Sequence, residues 1–380
     1  MTSAPLISLV VPTRERKETL SFALQSALRQ SSRSFEIVVG DNFSQDGTRE
    51  LVDSLDDPRI HYCNSGRRLS MSDNWEFSLQ HARGEYVLFI GDDDAVLPGG
   101  IDMLEAAINR THHQAYMWDT PIYSWPIDEH RPDIARLQRP RRDGILDLKA
   151  MARFVFRFGG WRYWKIPGVY HAAVSTRLLE AIRRRTGRVF HTTQPDLFAS
   201  MAVPVYADES YFLGCPVTSH GMSAKATSGS SVARNGDAVL ATYMGEFGDY
   251  RIHGTLYPGT ARYANLIADA FLVAKDLFPE FYGPITFNYT AMWAFLCRLR
   301  LLTPREVFRD WKAVRQFHPF GPIAFLGYYA IHRLTLLRLR VLKRFSPTIP
   351  FARCIPADID EFVVMLSEWL TESCGKRYLT

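Results

Sequence analysis

The sequence predicts an α/β fold, and three observations carry that expectation. Short apolar segments alternate with helical apolar periodicity through residues 1–110. Polar or acidic clusters follow the segment ends directly. From about Asp237 the pattern becomes helical. Strands alternating with helices imply crossover connections and a largely parallel sheet, whose ligands bind beyond the carboxyl ends of its strands.

Residues 6–11 form an apolar run that Pro12 ends, and Thr13, Arg14, Glu15 and Arg16 follow as a polar loop. Thr19, Leu20, Phe22, Ala23, Ala27 and Leu28 recur at helical spacing. The second strand, 35–40, runs into Asp41, Asn42 and a turn-rich stretch through Asp46 and Gly47 that holds helix N-cap candidates. Leu51, Val52 and Leu55 give the next helix its apolar face, and 59–63 is a short third strand. Ser70 and Asp73 have the spacing of a capping box, opening a helix that continues towards Ala82.

Residues 86–90 are β-rich and too short for a helix, so they read as a buried strand, and Asp92, Asp93 and Asp94 come at once after Gly91. Pro98, Gly99 and Gly100 break the chain before a helix beginning near Ile101. Two accounts fit the triplet: a solvated turn that caps this helix, or a cradle whose mutual repulsion a divalent cation offsets. If the strand's alternation continues, Asp92 and Asp94 point the same way and one metal sits against both. Thr13 to Glu15, Asp41 and Asp92 to Asp94 all lie just past strand ends, where the fold would gather them at one edge.

Residues 115–119 and 122–125 read as further strands, and the Pro/Arg-rich residues 128–144 as a loop. The aromatic residues between Gly159 and Gly168 fit either a buried cluster or a platform for sugar rings. Pro195 and Asp196 open an apolar helix; Asp196 is either a helix-start acid favoured by the backbone dipole or a catalytic carboxylate. Residues 218–231 are rich in glycine and hydroxyls, as in a surface linker or a loop that closes over phosphates, with Lys225 to neutralise charge. Residues 323–344 are apolar on one side, with Arg333, Arg338, Arg340, Lys343 and Arg344 late in the stretch. Such a stripe packs on the rest of the protein or lies on an anionic bilayer.

Composition narrows the classes. The 380 residues are 47% hydrophobic and 22% charged, ordinary for a folded chain of one or two domains. A net charge of +5 suits anionic small molecules or lipid and is too weak to argue nucleic acid. Five cysteines without a CxxC pair suggest a reducing compartment and no zinc site. The N-terminus lacks the features of a signal peptide, and no apolar run has the length of a spanning helix, so the expected location is cytoplasmic, in association with the inner face of a membrane if the basic stripe meets lipid.

The ordered set Ser8-Leu-Val-Val-Pro-Thr13, Phe35-Glu-Ile-Val-Val-Gly-Asp41-Asn42, Ser44-Gln-Asp46-Gly47-Thr48, Ala82-Arg-Gly-Glu-Tyr86 and Gly91-Asp-Asp-Asp94 resembles the family 2 glycosyltransferases of the GT-A fold. The resemblance covers roughly residues 5–110, with a weaker trace to about 230. It implies a GT-A type nucleotide-binding sheet flanked by helices, with a mostly helical C-terminal extension. The implied divisions are 1–235 for the catalytic domain (1–110 the nucleotide-sugar half, 111–235 the acceptor half) and 236–380 for the helical region. The implied activity is inverting transfer from a nucleoside diphosphate sugar to a hydroxyl of a glycan or lipid-linked glycan, in bacterial surface polysaccharide or glycolipid synthesis, with Mg²⁺ or Mn²⁺. The competing expectations are a non-catalytic carbohydrate- or partner-binding module of the same fold and a sugar-phosphate nucleotidyltransferase.

By the same resemblance Pro12, Thr13 and Glu15 line the nucleoside pocket, Asp41 hydrogen-bonds the base, and Asp92, Asp93 and Asn74 reach the nucleotide sugar. Asp94, with help from Asp92 and His220, holds the metal. Asp196 is the expected general base, with Asp208 and Glu209 as fallbacks. The chain departs from the family pattern at two places. Gly40 stands where many members have an acid, and no arginine immediately precedes Asn74, a charge that Arg67 or Arg68 would supply.

Overall fold

The computed structural model describes residues 4–125, 141–223, 237–256, 263–298, 321–344 and 359–374, with Thr303, Arg305 and Val307 besides. Lys225 and most of the 128–144 loop lie outside the described residues.

Four parallel strands build the first half of the sheet: β1 (Ile7–Thr13), β2 (Phe35–Asp41), β3 (Ile60–Asn64) and β4 (Tyr86–Phe89), in the order β3-β2-β1-β4. Helices α1 (Lys17–Leu28), α2 (Thr48–Ser54) and α3 (Met71–Leu79) supply the crossovers. Ser70 caps α3: the Asp73 backbone N–H donates to Ser70 Oγ at 3.2 Å, while the Asp73 carboxylate accepts from the Ser70 hydroxyl at 2.8 Å rather than from its backbone N–H.

Period-two alternation divides the core between the two sheet faces. Leu9, Val11, Ile37, Val39 and Leu88 pack with Leu20 and Leu24 of α1 and with α4 (Gly100–Thr111). Val10, Val38, Val87 and Phe89 pack on the other face with α3, α6 (Thr176–Thr186) and α7 (Pro195–Tyr206).

The second half of the sheet departs from the expected parallel order. It continues through β9 (Ala172–Ser175), β6 (Ala115–Trp118), β10 (Glu209–Leu213) and β8 (Gly144–Asp147), and β9 runs antiparallel to both β4 and β6. The chain reaches β9 from the carboxyl end of β4, where the Phe89 and His171 backbones are hydrogen-bonded, so β9 starts at the acidic triplet and runs away from it. A small sheet of β5 (Ala95–Val96), β11 (Thr218–Met222) and β7 (Ile122–Ser124) covers the same end.

The C-terminal helices share the second core. Ala268 and Phe271 of α9 (Tyr263–Leu277) and Met292 of α11 (Tyr289–Arg298) join α5 (Leu148–Arg157) and α7 in one cluster. Between them in sequence come α8 (Asp237–Gly245) and the short α10 (Pro279–Tyr282); α12 (Pro322–Arg344) and α13 (Ile359–Cys374) follow. Trp161 of the aromatic segment is core, whereas Trp164 is exposed and stacks on Phe295 at 6.2 Å.

Candidate functional site

The site lies where β1, β2 and β4 end. Thr13 and Asp41 are register partners at the last step of the β1–β2 ladder. The Thr13 hydroxyl donates to Asp92 Oδ2 at 2.8 Å, joining the third strand end to the first two.

The triplet does not extend the alternation of β4, which corrects the expectation that Asp92 and Asp94 point the same way. The strand ends at Phe89, and the Asp94 N–H donates back to the Gly91 carbonyl at 3.2 Å in a turn. Its carboxylates are therefore separated. Arg16 contacts Asp92 Oδ1 at 2.7 Å and Asp93 Oδ2 at 2.8 Å, and its guanidinium also donates to Ser223 Oγ. Burial, with Asp93 and Asp94 nearby, pushes the Asp92 carboxyl up to about 7, even though Arg16 and Thr13 favour its charge.

Asp94, fully buried, faces a different set of partners. Its Oδ2 accepts from the Tyr170 hydroxyl at 2.7 Å and lies 3.2 Å from His171 Nε2. Its Oδ1 accepts from the Gly221 N–H at 2.7 Å and lies 3.3 Å from His220 Nδ1. The two imidazole nitrogens are themselves 3.3 Å apart. Asp94, His171 and His220 are the group of acidic and imidazole side chains among the described residues whose arrangement suits a metal ion, with one donor atom from each lying within 4.8 Å of the others. Asp92 is outside that group.

Local backbone geometry builds this cluster. In an extended chain adjacent side chains point to opposite faces, yet Tyr170 and His171 both reach Asp94. His171 has φ of 51°, a left-handed conformation uncommon for a non-glycine residue, and that breaks the alternation. Gly221 lets β11 come close: a Cβ there would stand 1.6 Å from the Asp93 carbonyl oxygen.

Electrostatics fit a site made for positive charge. Burial alone would raise Asp94, but His171 and His220 beside it hold its carboxyl well below the usual range. Burial opposes a charged His220, yet its hydrogen bond to Asp94 and the charges of Asp94 and Asp93 raise its pKa. His171 moves down through burial, with Asp94 opposing the shift.

Asp196 is in the first turn of α7, with Pro195 at the first helical position. Burial pushes its carboxyl up to about 6, while the Leu197 backbone N–H and the charge of His220 pull the other way. The charge of Asp196 also acts on His220 and on Tyr170. The loop before α7 is held from above by Tyr243 of α8, whose hydroxyl donates to the Thr193 carbonyl and accepts from Gln194 Nε2 at 3.1 Å.

The remaining sequence candidates divide. The Asp41 carboxylate is held by the Tyr62 hydroxyl at 2.5 Å, Asn64 Nδ2 at 2.9 Å and the Ser44 N–H at 3.0 Å. A shallow cavity of about 300 Å³ adjoins it, lined by Ser44, Thr48, Tyr62 and Asn64 among others. Glu15 Oε1 accepts from the Gln45 N–H at 2.8 Å, fastening the loop after Pro12 to the rim of that cavity. Asn74 is buried and donates to the Gly40 carbonyl at 3.1 Å. Arg68 is drawn to Glu246 at 2.7 Å, a carboxylate it shares with Arg14 at 3.0 Å. Asp208, a fallback for the base, pairs with Lys149 at 2.6 Å, and the Glu209 residue pairs with Asp147 at the β10–β8 edge.

Gly40 has a packing explanation. A Cβ at that position would stand 1.8 Å from Ser78 Oγ and 2.7 Å from Ser78 Cβ, so α3 closes on β2 only over a glycine. Arg16, Tyr170 and His171 are site residues that sequence reasoning missed.

Residues 8–167 match the sequence model of the family described as Glycosyl transferase family 2. Over 115 residues the chain is 34% identical to the GalNAc(5)-diNAcBac-PP-undecaprenol beta-1,3-glucosyltransferase of Campylobacter jejuni, a match covering 30% of this chain and 37% of that protein. It is 30% identical over 146 residues to the abequosyltransferase RfbV of Salmonella typhimurium, covering 37% of this chain and 41% of the other. The matched part thus spans well under half the length of these relatives. Among solved structures, residues 1–349 of S. aureus TarS align over 96% of this chain and 91% of theirs, at 15% identity and a TM-score of 0.48.

Proposed function

Since residues 8–167 belong to glycosyl transferase family 2, we propose that the protein transfers a sugar, with inversion, from a nucleoside diphosphate donor to a hydroxyl of a lipid-linked glycan at the cytoplasmic face of a membrane. The observation that carries this reading is the meeting of Asp94, His171 and His220 at the strand-end edge. The acceptor class is inferred from relatives whose names specify undecaprenol-linked acceptors.

The donor set fits a divalent ion. One donor atom from each of Asp94, His171 and His220 lies within 4.8 Å of the others, so these three side chains would hold it. Two imidazoles beside one carboxylate suit Mn²⁺ better than Mg²⁺, which prefers oxygen. When bound, the ion neutralises charge on the diphosphate leaving group.

The protein's own residues do the rest. Asp41, Thr13, Pro12 and Glu15 shape the nucleoside end of the site, with Asn74 behind the strand ends. Asp92 and Asp93, oriented by Arg16, present carboxylate oxygens towards the sugar nucleotide. Asp196 accepts the proton of the acceptor hydroxyl as that oxygen bonds to the anomeric carbon and the bond to the diphosphate breaks. A pKa of about 6 leaves Asp196 ionised at neutral pH yet basic enough to take the proton. Holding donor and acceptor in one cleft supplies much of the remaining acceleration.

The test is a screen of uridine and guanosine diphosphate sugars that measures nucleoside diphosphate release with a lipid-linked acceptor, with and without Mn²⁺. Wild type and Asp196→Asn are run side by side. Acceptor-dependent release that needs Mn²⁺ and Asp196 supports the reading. Release unaffected by Asp196→Asn removes that residue from the base role, and no release with any donor refutes the activity.

A further inference from the structure

Helix α12 has two apolar sides. The inner one is docked: Phe325 and His332 are buried, the His332 ring lies 4.8 Å from Trp161 and 5.9 Å from Phe295, and Asn288 Nδ2 donates to the Tyr328 hydroxyl at 2.9 Å. The outer one is bare. Ile323 is 87% exposed, Leu326 58%, Leu334 63% and Leu337 56%, with Ala330 also exposed between them. Their spacing of three, four, four and three residues confines them to an arc of about 80°, opposite Phe325 and His332. A continuous outward apolar row on a helix already docked by its other side needs a partner.

We propose that this outer face of α12 seats the protein on an anionic lipid bilayer. The occupant follows from charge. Residues 322–344 contain Arg333, Arg338, Arg340, Lys343 and Arg344 and no acidic residue. A second copy docking by the same face would bring two such cationic segments together, which like-charge repulsion opposes. A surface of anionic headgroups complements them, while the leucine row enters the boundary with the acyl chains. No helix among the described residues is long and apolar enough to cross a membrane, so the contact lies along the surface. The inference rests on the proposed function only for the expectation that the acceptor is lipid-linked.

The experiment is co-sedimentation of the full chain with vesicles of phosphatidylcholine alone and of phosphatidylcholine mixed with phosphatidylglycerol. It needs no donor, metal or acceptor, so its outcome is independent of glycosyl transfer. The expected result is binding to the mixed vesicles that added salt weakens. Leu334→Ser with Leu337→Ser, both on the exposed row, should weaken binding about tenfold or more. Arg333→Gln should weaken it about fivefold. Transfer to a soluble acceptor should stay unchanged in all of these variants. Equal sedimentation of wild type and the double variant would overturn the proposal. So would equal binding to both vesicle types, or a dimer in sedimentation velocity that the double variant dissolves.

Discussion

His171 Nε2 and His220 Nδ1 face each other across 3.3 Å, and each also lies within 3.3 Å of an oxygen of the buried Asp94. The two imidazoles are 49 residues apart in sequence, His171 immediately before β9 and His220 on β11. A metal explains such a convergence of donors better than packing does. Replacing either histidine by alanine should weaken Mn²⁺ binding by about 100-fold, read by calorimetric titration without donor. Unchanged Mn²⁺ affinity in His171→Ala would exclude that side chain from the ligand set.

Arg16 is the counter-charge of the triplet, lying between Asp92 and Asp93 with little exposure on either side. Removing one partner of a buried pair typically costs about 3–5 kcal/mol. Arg16→Ala should therefore lower Tm by about 5 °C or more in a metal-free scan. Arg16→Lys, which keeps the charge but loses the fork, should fall between the two proteins.

Activity should follow the ionisation of Asp196. Its carboxyl sits at about 6, so kcat/KM with saturating Mn²⁺ should fall about tenfold per pH unit below that value. A profile that stays flat down to pH of about 4.5 would contradict the base assignment.

The same burial predicts a stability effect of opposite sense. A carboxyl whose folded pKa is raised favours its protonated form in the fold. Its penalty therefore grows as pH rises from the unfolded value to about 6 and is complete above that. Asp196→Asn should accordingly raise Tm by about 2–4 °C at neutral pH while removing activity. A lowered Tm would mean that the ionised carboxylate has a stabilising partner.

Gly40 offers a steric test. Gly40→Ala should destabilise by about 1–3 kcal/mol, because its Cβ meets Ser78 Oγ and Cβ. Adding Ser78→Gly should restore part of the loss, since the nearest atom then left, Ser78 Cα, is 3.6 Å away. No recovery in the double variant would place the cost elsewhere.

Much of this was legible in the residues. Alternating strand and helix patterns mark β1 to β4 and their crossovers, and the strand-end clusters locate the edge. Asp92 comes to that edge with Thr13 and Asp41 because topology gathers strand ends whatever the distance in sequence. Other features had no local signature. The left-handed φ of His171 has no marker in the residues around it. Arg16 looks like any loop cation until the fold closes it over the triplet. The reversed β9 carries the same apolar pattern a parallel strand would, so periodicity cannot reveal its direction. Gly40 looks like a lost acid until α3 is seen against it. The outward row of α12 was readable as spacing, but its exposure depends on which of two apolar sides the neighbouring helices take.

Tyr243 reaches back from α8 to hold the carbonyl of Thr193, and Glu246 grips Arg14 and Arg68 from the far side of the cleft. The helical region is thus a roof bolted to both walls of the reaction chamber. A shortened chain ending before it would lose the ceiling over Asp196 together with a brace on the opening loop. Exchanging that region between relatives, as if it were a detachable specificity cassette, would then disturb the chemistry as well as the choice of acceptor.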